Sequence, residues 1–257
     1  MRPNTPPNAA SAPAGRRAAL RWSIAVCTAL GAACSSDNSV PAGPTPPAVT
    51  TFTVTAITDG DTVRFSPALD GGTALRMLNI DAPESGQGPW GQRSSDALRQ
   101  LAPPSTEVTI ETDQTRVDSF GRILGHAVRR DGVNLNLEQL RSGQAVLYVI
   151  WPNMNRFAEY RAAQIDAQSA RRGIWDPARP LVELPFEYRL RIDRDAPFRP
   201  VGDYFTRNYV EPFDYLRVHA NNRVFFNTRT DAATAGYQPC PRDGAGVYAQ
   251  SCFGPGQ

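Results

Sequence analysis

The sequence predicts a mostly β fold with added helices: a small, partly open barrel packed by three helices, followed by a smaller loop-rich or α+β module. Three observations point there. From Thr51 onward, short runs alternating apolar and polar residues recur between turn signals. Three stretches with helical spacing interrupt those runs, and past Asp176 the chain turns loop-rich with isolated apolar patches.

Taken in order, Phe52, Val54 and Ala56 alternate with polar neighbours, and Thr58-Asp59-Gly60-Asp61 makes a turn before Val63 and Phe65, which reads as a β-hairpin. A strand follows at Leu75 to Ile80. Helical spacing from Trp90 to Leu101 stops at Pro103-Pro104, and Val108 and Ile110 resume a strand. Ile123 to Val128 forms the next. Leu135, Leu137 and Leu140 mark a short helix closed by Gly143, and Val146, Tyr148 and Ile150 alternate again. The last helix of the barrel runs from about Arg156 to Arg172, capped by Gly173. The expected boundaries are residues 51–176 for the barrel domain and 177–257 for an accessory module with apolar runs at Tyr188 to Ile192 and Val224 to Phe226.

Ahead of the barrel, residues 1–34 hold Arg2, Arg16, Arg17 and Arg21, no acid, and an apolar stretch from Trp22 to Ala33 too short to span a bilayer stably. This reads as a signal peptide. Gly31-Ala32-Ala33-Cys34 resembles the lipobox of bacterial lipoproteins, with Cys34 the lipidated residue, while cleavage after Ala33 by an ordinary signal peptidase is the alternative. Either route exports the chain to the cell envelope or the medium. Residues 35–50, with Pro41, Pro44, Pro46 and Pro47, read as an extended tether.

A length of 257 residues, 41% hydrophobic and 20% charged, allows a real core plus an appendage. All 27 basic residues are Arg, which suits forked recognition of phosphate but also follows from a compositional bias of the whole chain. Loss of the signal removes four Arg and no acid, leaving 23 basic against 25 acidic residues. A whole-surface basic field is thereby excluded, so any grip on nucleic acid must be local. Cys240 and Cys252 remain as an even pair, either a disulfide suited to an exported protein or two free thiols. His126 and His219 lack the spacing of a zinc site and read as structural.

Three short stretches place acids and Arg where a phosphodiester hydrolase needs them: Asp59-Gly60-Asp61-Thr62, Arg76 through Asp81-Ala82-Pro83-Glu84, and Asp118-Ser119-Phe120-Gly121-Arg122. Each alone fits a turn or strand start. Their order and strand setting, with Tyr148, Pro152-Asn153 and the closing Arg172-Gly173-Ile174-Trp175, resemble the staphylococcal nuclease (thermonuclease) family from about Thr51 to Asp176. The resemblance implies a five-stranded OB-fold barrel with three helices.

It also implies a Ca²⁺-dependent endonuclease that acts on DNA and RNA, preferring single strands, and leaves 3′-phosphate ends. Hard cations take oxygen ligands, and Asp61 and Asp81 offer carboxylates from neighbouring strands, with the Ala82 carbonyl as the third ligand the family implies. Arg76 and Arg122 suit the charge that grows as water adds to phosphorus. The resemblance gives Glu84 the proton of the attacking water, and Asp59 supports the metal ligands from behind. Tyr148 matches a tyrosine lining the nucleotide pocket. Phe120 and Ile150 depart from the founding member, where both positions are tyrosines, so altered affinity or end preference is expected.

Near the end, Arg223-Val224-Phe225-Phe226 and Ala235 to Cys240 faintly resemble the zinc-binding domain of phosphotriester-repair proteins, but the other metal cysteines are missing and no chemistry is assigned. The rival class is a catalytically weak nucleic-acid-binding barrel, and retention of all five key positions favours the enzyme. A monomer is expected, touching the membrane only through an N-terminal lipid.

Overall fold

The computed structural model describes residues 50–193 and 197–255, so the expected signal peptide, Cys34 and nearly all of the tether lie outside the described residues. Ala48–Gln257 forms one compact unit. Its first half is a closed barrel ordered β1 (Phe52–Ile57), β2 (Thr62–Leu69), β3 (Gly72–Met77), β6 (Ile123–Arg129), β5 (Glu107–Val117). Closure comes from Phe52 and Thr53 of β1 pairing with Val108 and Glu107 of β5. The alternation seen in the sequence is real burial: Phe52, Val54, Val63 and Phe65 are buried, with Phe52 and Phe65 meeting edge to face at 5.2 Å.

The expected third strand divides in two. β3 ends at Met77, Asn79 takes a left-handed φ of 64°, and β4 (Ile80–Asp81) leaves in a new direction to pair with β7 (Val146–Leu147). That break lets Arg76 and Asp81 approach each other from opposite sides of the turn. α1 (Trp90–Leu101) has the predicted bounds, and α2 (Leu135–Arg141) starts at Asn134, whose side chain accepts from the Leu137 N–H. α3 (Phe157–Ser169) is shorter than expected. Arg171 turns left-handed at φ 54°, and Gly173 then packs on Gly143, where a Cβ on either glycine would lie about 2 Å from the other segment's backbone.

The alternating run at Val146, Tyr148 and Ile150 is also two strands in two sheets. β7 closes on β4, whereas β8 (Val149–Ile150) pairs in parallel with β11 (Arg223–Phe225). β11 lies in a sheet with β9 (Val201–Asp203), β10 (Asn208–Val210) and β12 (Gln238–Pro239), while α4 (Pro185–Asp193) and α5 (Arg229–Thr234) flank it. The C-terminal segment is therefore built onto the barrel instead of standing apart. Tyr209, Val224, Phe226 and Tyr237 share one core with Leu75, Phe157 and Tyr160. Gln164 of α3 donates to Asn221 at 2.6 Å, and Arg161 to Asn222 at 3.1 Å. The stretch expected as an apolar run at Tyr188 to Ile192 is part of α4. Cys240 and Cys252 are joined in a disulfide with Cα atoms 5.8 Å apart, so Cys240 is no zinc ligand.

Candidate functional site

The Asp59-Gly60-Asp61 turn between β1 and β2 is pinned by side chains from two helices. Gln139 of α2 donates to the Gly60 carbonyl at 2.7 Å, and a Cβ at Gly60 would meet Ser94 Oγ of α1 at 1.9 Å. Only glycine fits there. The Asp61 N–H donates to Asp59 Oδ1 at 3.0 Å, which closes the turn.

Asp61 Oδ2 accepts the Ala82 N–H at 2.7 Å and lies 3.2 Å from Arg76 Nη2. The same Arg76 nitrogen lies 3.0 Å from Asp81 Oδ1, so the two carboxylates converge on one point. Arg76 Nη1 donates to the carbonyls of Met77 and Ile80 at 2.8 and 2.9 Å, fastening the guanidinium across the β3–β4 turn. Asp81 is fully buried and Asp61 nearly so. Glu84 stands at the mouth, its N–H held by Gln87 Oε1 at 3.0 Å. Asp59, Asp61, Arg76, Asp81, Ala82 and Glu84 are thus brought together in one cluster, with Glu84 on its exposed side.

Arg122 stands apart from that cluster. Its Nε is paired with Asp118 Oδ2 at 2.7 Å, and its guanidinium sits 5.4 Å from the ring centre of the exposed Phe120. It immediately precedes β6, which runs parallel to β3 with Ile123 opposite Leu75 and Leu124 opposite Arg76, so Arg122 enters the strand next to the one that carries Arg76. Tyr148 is half-buried, one side of its ring packed and the residue still bordering a cavity. Phe186 stacks on its ring at 5.6 Å and Phe225 packs at 4.6 Å, because β8 has docked on the C-terminal sheet. Ile150 is drawn into the same packing opposite Phe225.

The C-terminal segment adds a residue that no spacing in the sequence announced. Arg189 of α4 forks onto both Asp81 oxygens at 3.0 Å and reaches Glu84 Oε1 at 2.6 Å. Burial opposes its charge, but Asp81 and Glu84 outweigh that and hold the guanidinium above the usual arginine range. The sequence showed the stretch only as an apolar run, and nothing within it points to residues more than a hundred positions earlier.

Among the described residues no group of three or more His, Cys, Asp or Glu side chains is arranged as a metal cage. The donor chemistry nevertheless fits one hard divalent cation with few protein ligands. Asp61 and Asp81 are oxygen donors aimed at a common point, and four acids face two guanidinium groups in the cluster, a surplus of two negative charges. Burial and then the Asp61 charge push the Asp59 carboxyl up to about 6.

His126 is structural, as expected. It lies buried on β6 with Nδ1 2.8 Å from the Tyr160 hydroxyl and Nε2 without a partner among the described residues. Burial, then Arg156, depress its pKa to about 4, against partial relief from Glu111 and Asp113. The unfolded chain takes up the proton near pH 6.5 and the folded chain refuses it until about pH 4, so stability falls as pH drops through that window, by about 3 kcal/mol in all. Denaturant unfolding at pH 7, 5.5 and 4.5 should show this slope, and His126→Gln should flatten it. An unchanged slope in the variant would assign the acid sensitivity elsewhere. His219 accepts from the Asn221 N–H at 3.2 Å and caps a short turn.

Comparison with known proteins agrees with this geometry. The model of the family described as staphylococcal nuclease homologue matches residues 74–177. Endonuclease YhcR of Bacillus subtilis is 34% identical over 197 residues, 72% of this chain, although the chain spans only 16% of that relative's length. A protein named probable staphylococcal-like nuclease CAN1 from Oryza sativa is 30% identical over 115 residues, 45% of this chain and 32% of its own. An Escherichia coli protein described as an uncharacterized endonuclease is 35% identical over 136 residues, 53% of this chain, and is matched along 84% of its own length. With its barrel, its acids and its arginines arranged as described, the chain belongs to the staphylococcal nuclease homologue family.

Proposed function

We propose that this chain is an exported nuclease that hydrolyses phosphodiester bonds of DNA and RNA with one Ca²⁺, as a monomer, with a preference for single strands and products ending in 3′-phosphate. The observation carrying this reading is the convergence of Asp61 and Asp81 on one nitrogen of Arg76, with Glu84 at the mouth. The relatives named endonucleases point the same way. The preference for single strands and the product ends rest on the family resemblance. Export rests on the arginine-bearing, acid-free start and its apolar run, and the disulfide suits it. Intact mass of the mature chain, beginning at Cys34 with or without lipid, tests that part.

Asp61, Asp81 and the Ala82 carbonyl would hold the cation, which when bound polarises the phosphate and lowers the cost of its added charge. Arg76, rigidly fastened by two carbonyls, presents fixed positive charge to a non-bridging oxygen without reorganising. Glu84, more exposed than the aspartates, is the group able to take a proton from an incoming water. Arg122, tethered to Asp118 just ahead of β6, would supply a second charge once substrate bridges it to the cluster. Cleavage of a single-stranded oligonucleotide by the full chain should require Ca²⁺ and stop when a chelator is added in excess. Undiminished cutting in chelator, or none from a folded sample with Ca²⁺, would overturn the reading.

A further inference from the structure

We propose that Arg189 is a built-in competitor for the cation site: it occupies the carboxylate positions a divalent ion needs, so the ion gains the site only by displacing it. This rests on the nuclease reading above and deepens it.

Coordination capacity is the first argument. A carboxylate offers about four lone-pair positions over its two oxygens. On Asp81, Oδ1 already accepts from Arg76 and Arg189, each at 3.0 Å, and Oδ2 accepts from Arg189 at 3.0 Å. Three positions are filled, and the fork of Arg189 covers the bidentate edge. Calcium binds carboxylate oxygens at about 2.3–2.6 Å, closer in than the guanidinium nitrogens. Both cations cannot share that edge, and their like charges repel most strongly in so buried a place.

The second argument is that Arg189 is placed there by structure. α4 is anchored below by Phe186, which packs among Tyr148, Tyr215 and Phe225. The chain leading to it is stitched over the Glu84–Trp90 loop: Gln87 donates to the Glu183 carbonyl at 2.8 Å and Trp90 to the Arg179 carbonyl at 3.1 Å. The helix is therefore held while the arginine side chain, 35% exposed, keeps an outlet. A cavity of about 190 Å³ bordered by Arg189, Tyr148 and Arg199 gives the displaced guanidinium room. Arg76, by contrast, is fastened by two backbone carbonyls and stays. Displacement exchanges one positive charge for two, which relieves the surplus of acid in the cluster.

Isothermal titration of the full chain with Ca²⁺ tests this, comparing wild type with Arg189→Ala and Arg189→Lys. Removal of the competitor should tighten Ca²⁺ binding by about tenfold or more, and lysine, a single point charge without a fork, should fall between. In ¹⁵N spectra of arginine side chains, the resonance lost in both variants should shift when wild type is saturated with Ca²⁺. Equal or weaker binding by Arg189→Ala, with thermal melting showing it folded, would overturn the proposal and make Arg189 an organiser of the site. If wild type still cuts with Ca²⁺ in that case, the nuclease reading stands alone. If neither protein binds or uses Ca²⁺, both fall.

Discussion

Arg76→Ala should lower single-turnover cleavage of a single-stranded oligonucleotide by about 1,000-fold, the upper range for losing one preorganised donor to a developing phosphoryl charge. The effect is large because this guanidinium does two jobs from one fixed position. In the proposed reaction it presents positive charge to the phosphate, and in the structure it lies between Asp61 and Asp81, 3.2 Å and 3.0 Å from their oxygens. Without it two buried carboxylates face each other with one partner fewer. Breaking a buried ion pair costs about 3–5 kcal/mol, and the lower figure applies because Arg189 still holds Asp81. Thermal melting should therefore fall together with activity, and the assay belongs well below the variant's midpoint. Arg76→Lys separates the two effects. It restores a charge near the aspartates but cannot also reach the Met77 and Ile80 carbonyls, so stability should recover more than rate. A folded Arg76→Ala protein that cuts at the wild-type rate would remove Arg76 from the chemistry.

The strand and helix pattern of the barrel was legible in the sequence because it is local, whereas the candidate site residues, each alone no more than a turn or strand start, stood out only through their joint resemblance to a family. A turn such as Asp59-Gly60-Asp61 announces itself by composition, and the bounds of α1 follow from helical spacing and the Pro103-Pro104 stop. What stayed hidden depends on contacts between distant segments. The alternation at Val146, Tyr148 and Ile150 gives the side-chain period of a strand but not its partner, and the chain changes sheets at Tyr148, whose N–H donates to the Asn79 carbonyl at 3.1 Å. Tyr148, expected to line a nucleotide pocket, packs against Phe186 and Phe225 and also borders a cavity, surroundings that its own segment could not announce. Arg189 lay hidden for the same reason. One arginine in a chain whose 27 basic residues are all arginine carries no signal until the fold sets it against Asp81.

Phe226→Ala should destabilise the whole described unit by about 3–5 kcal/mol, the range for deleting a buried phenylalanine ring. Phe226 follows β11 directly and is completely buried, with Tyr237 edge-on at 4.8 Å and Trp151 at 6.4 Å. Its neighbours come from both the barrel and the C-terminal segment, so the cavity opens in the seam that joins them. For a unit of this size the loss corresponds to about 10 °C in melting temperature. The outcome also decides how the two halves unfold. A shared core requires one cooperative transition that moves as a whole, followed equally by tryptophan fluorescence, with Trp90 and Trp151 in the barrel half, and by far-ultraviolet circular dichroism. Two transitions, with the barrel's left in place, would show a separable module. Because Phe186 of α4 packs on Phe225, the residue before Phe226, a cooperative loss should also release Arg189 from Asp81 at temperatures where the wild-type contact persists, linking the stability of the C-terminal core to the state of the proposed cation site.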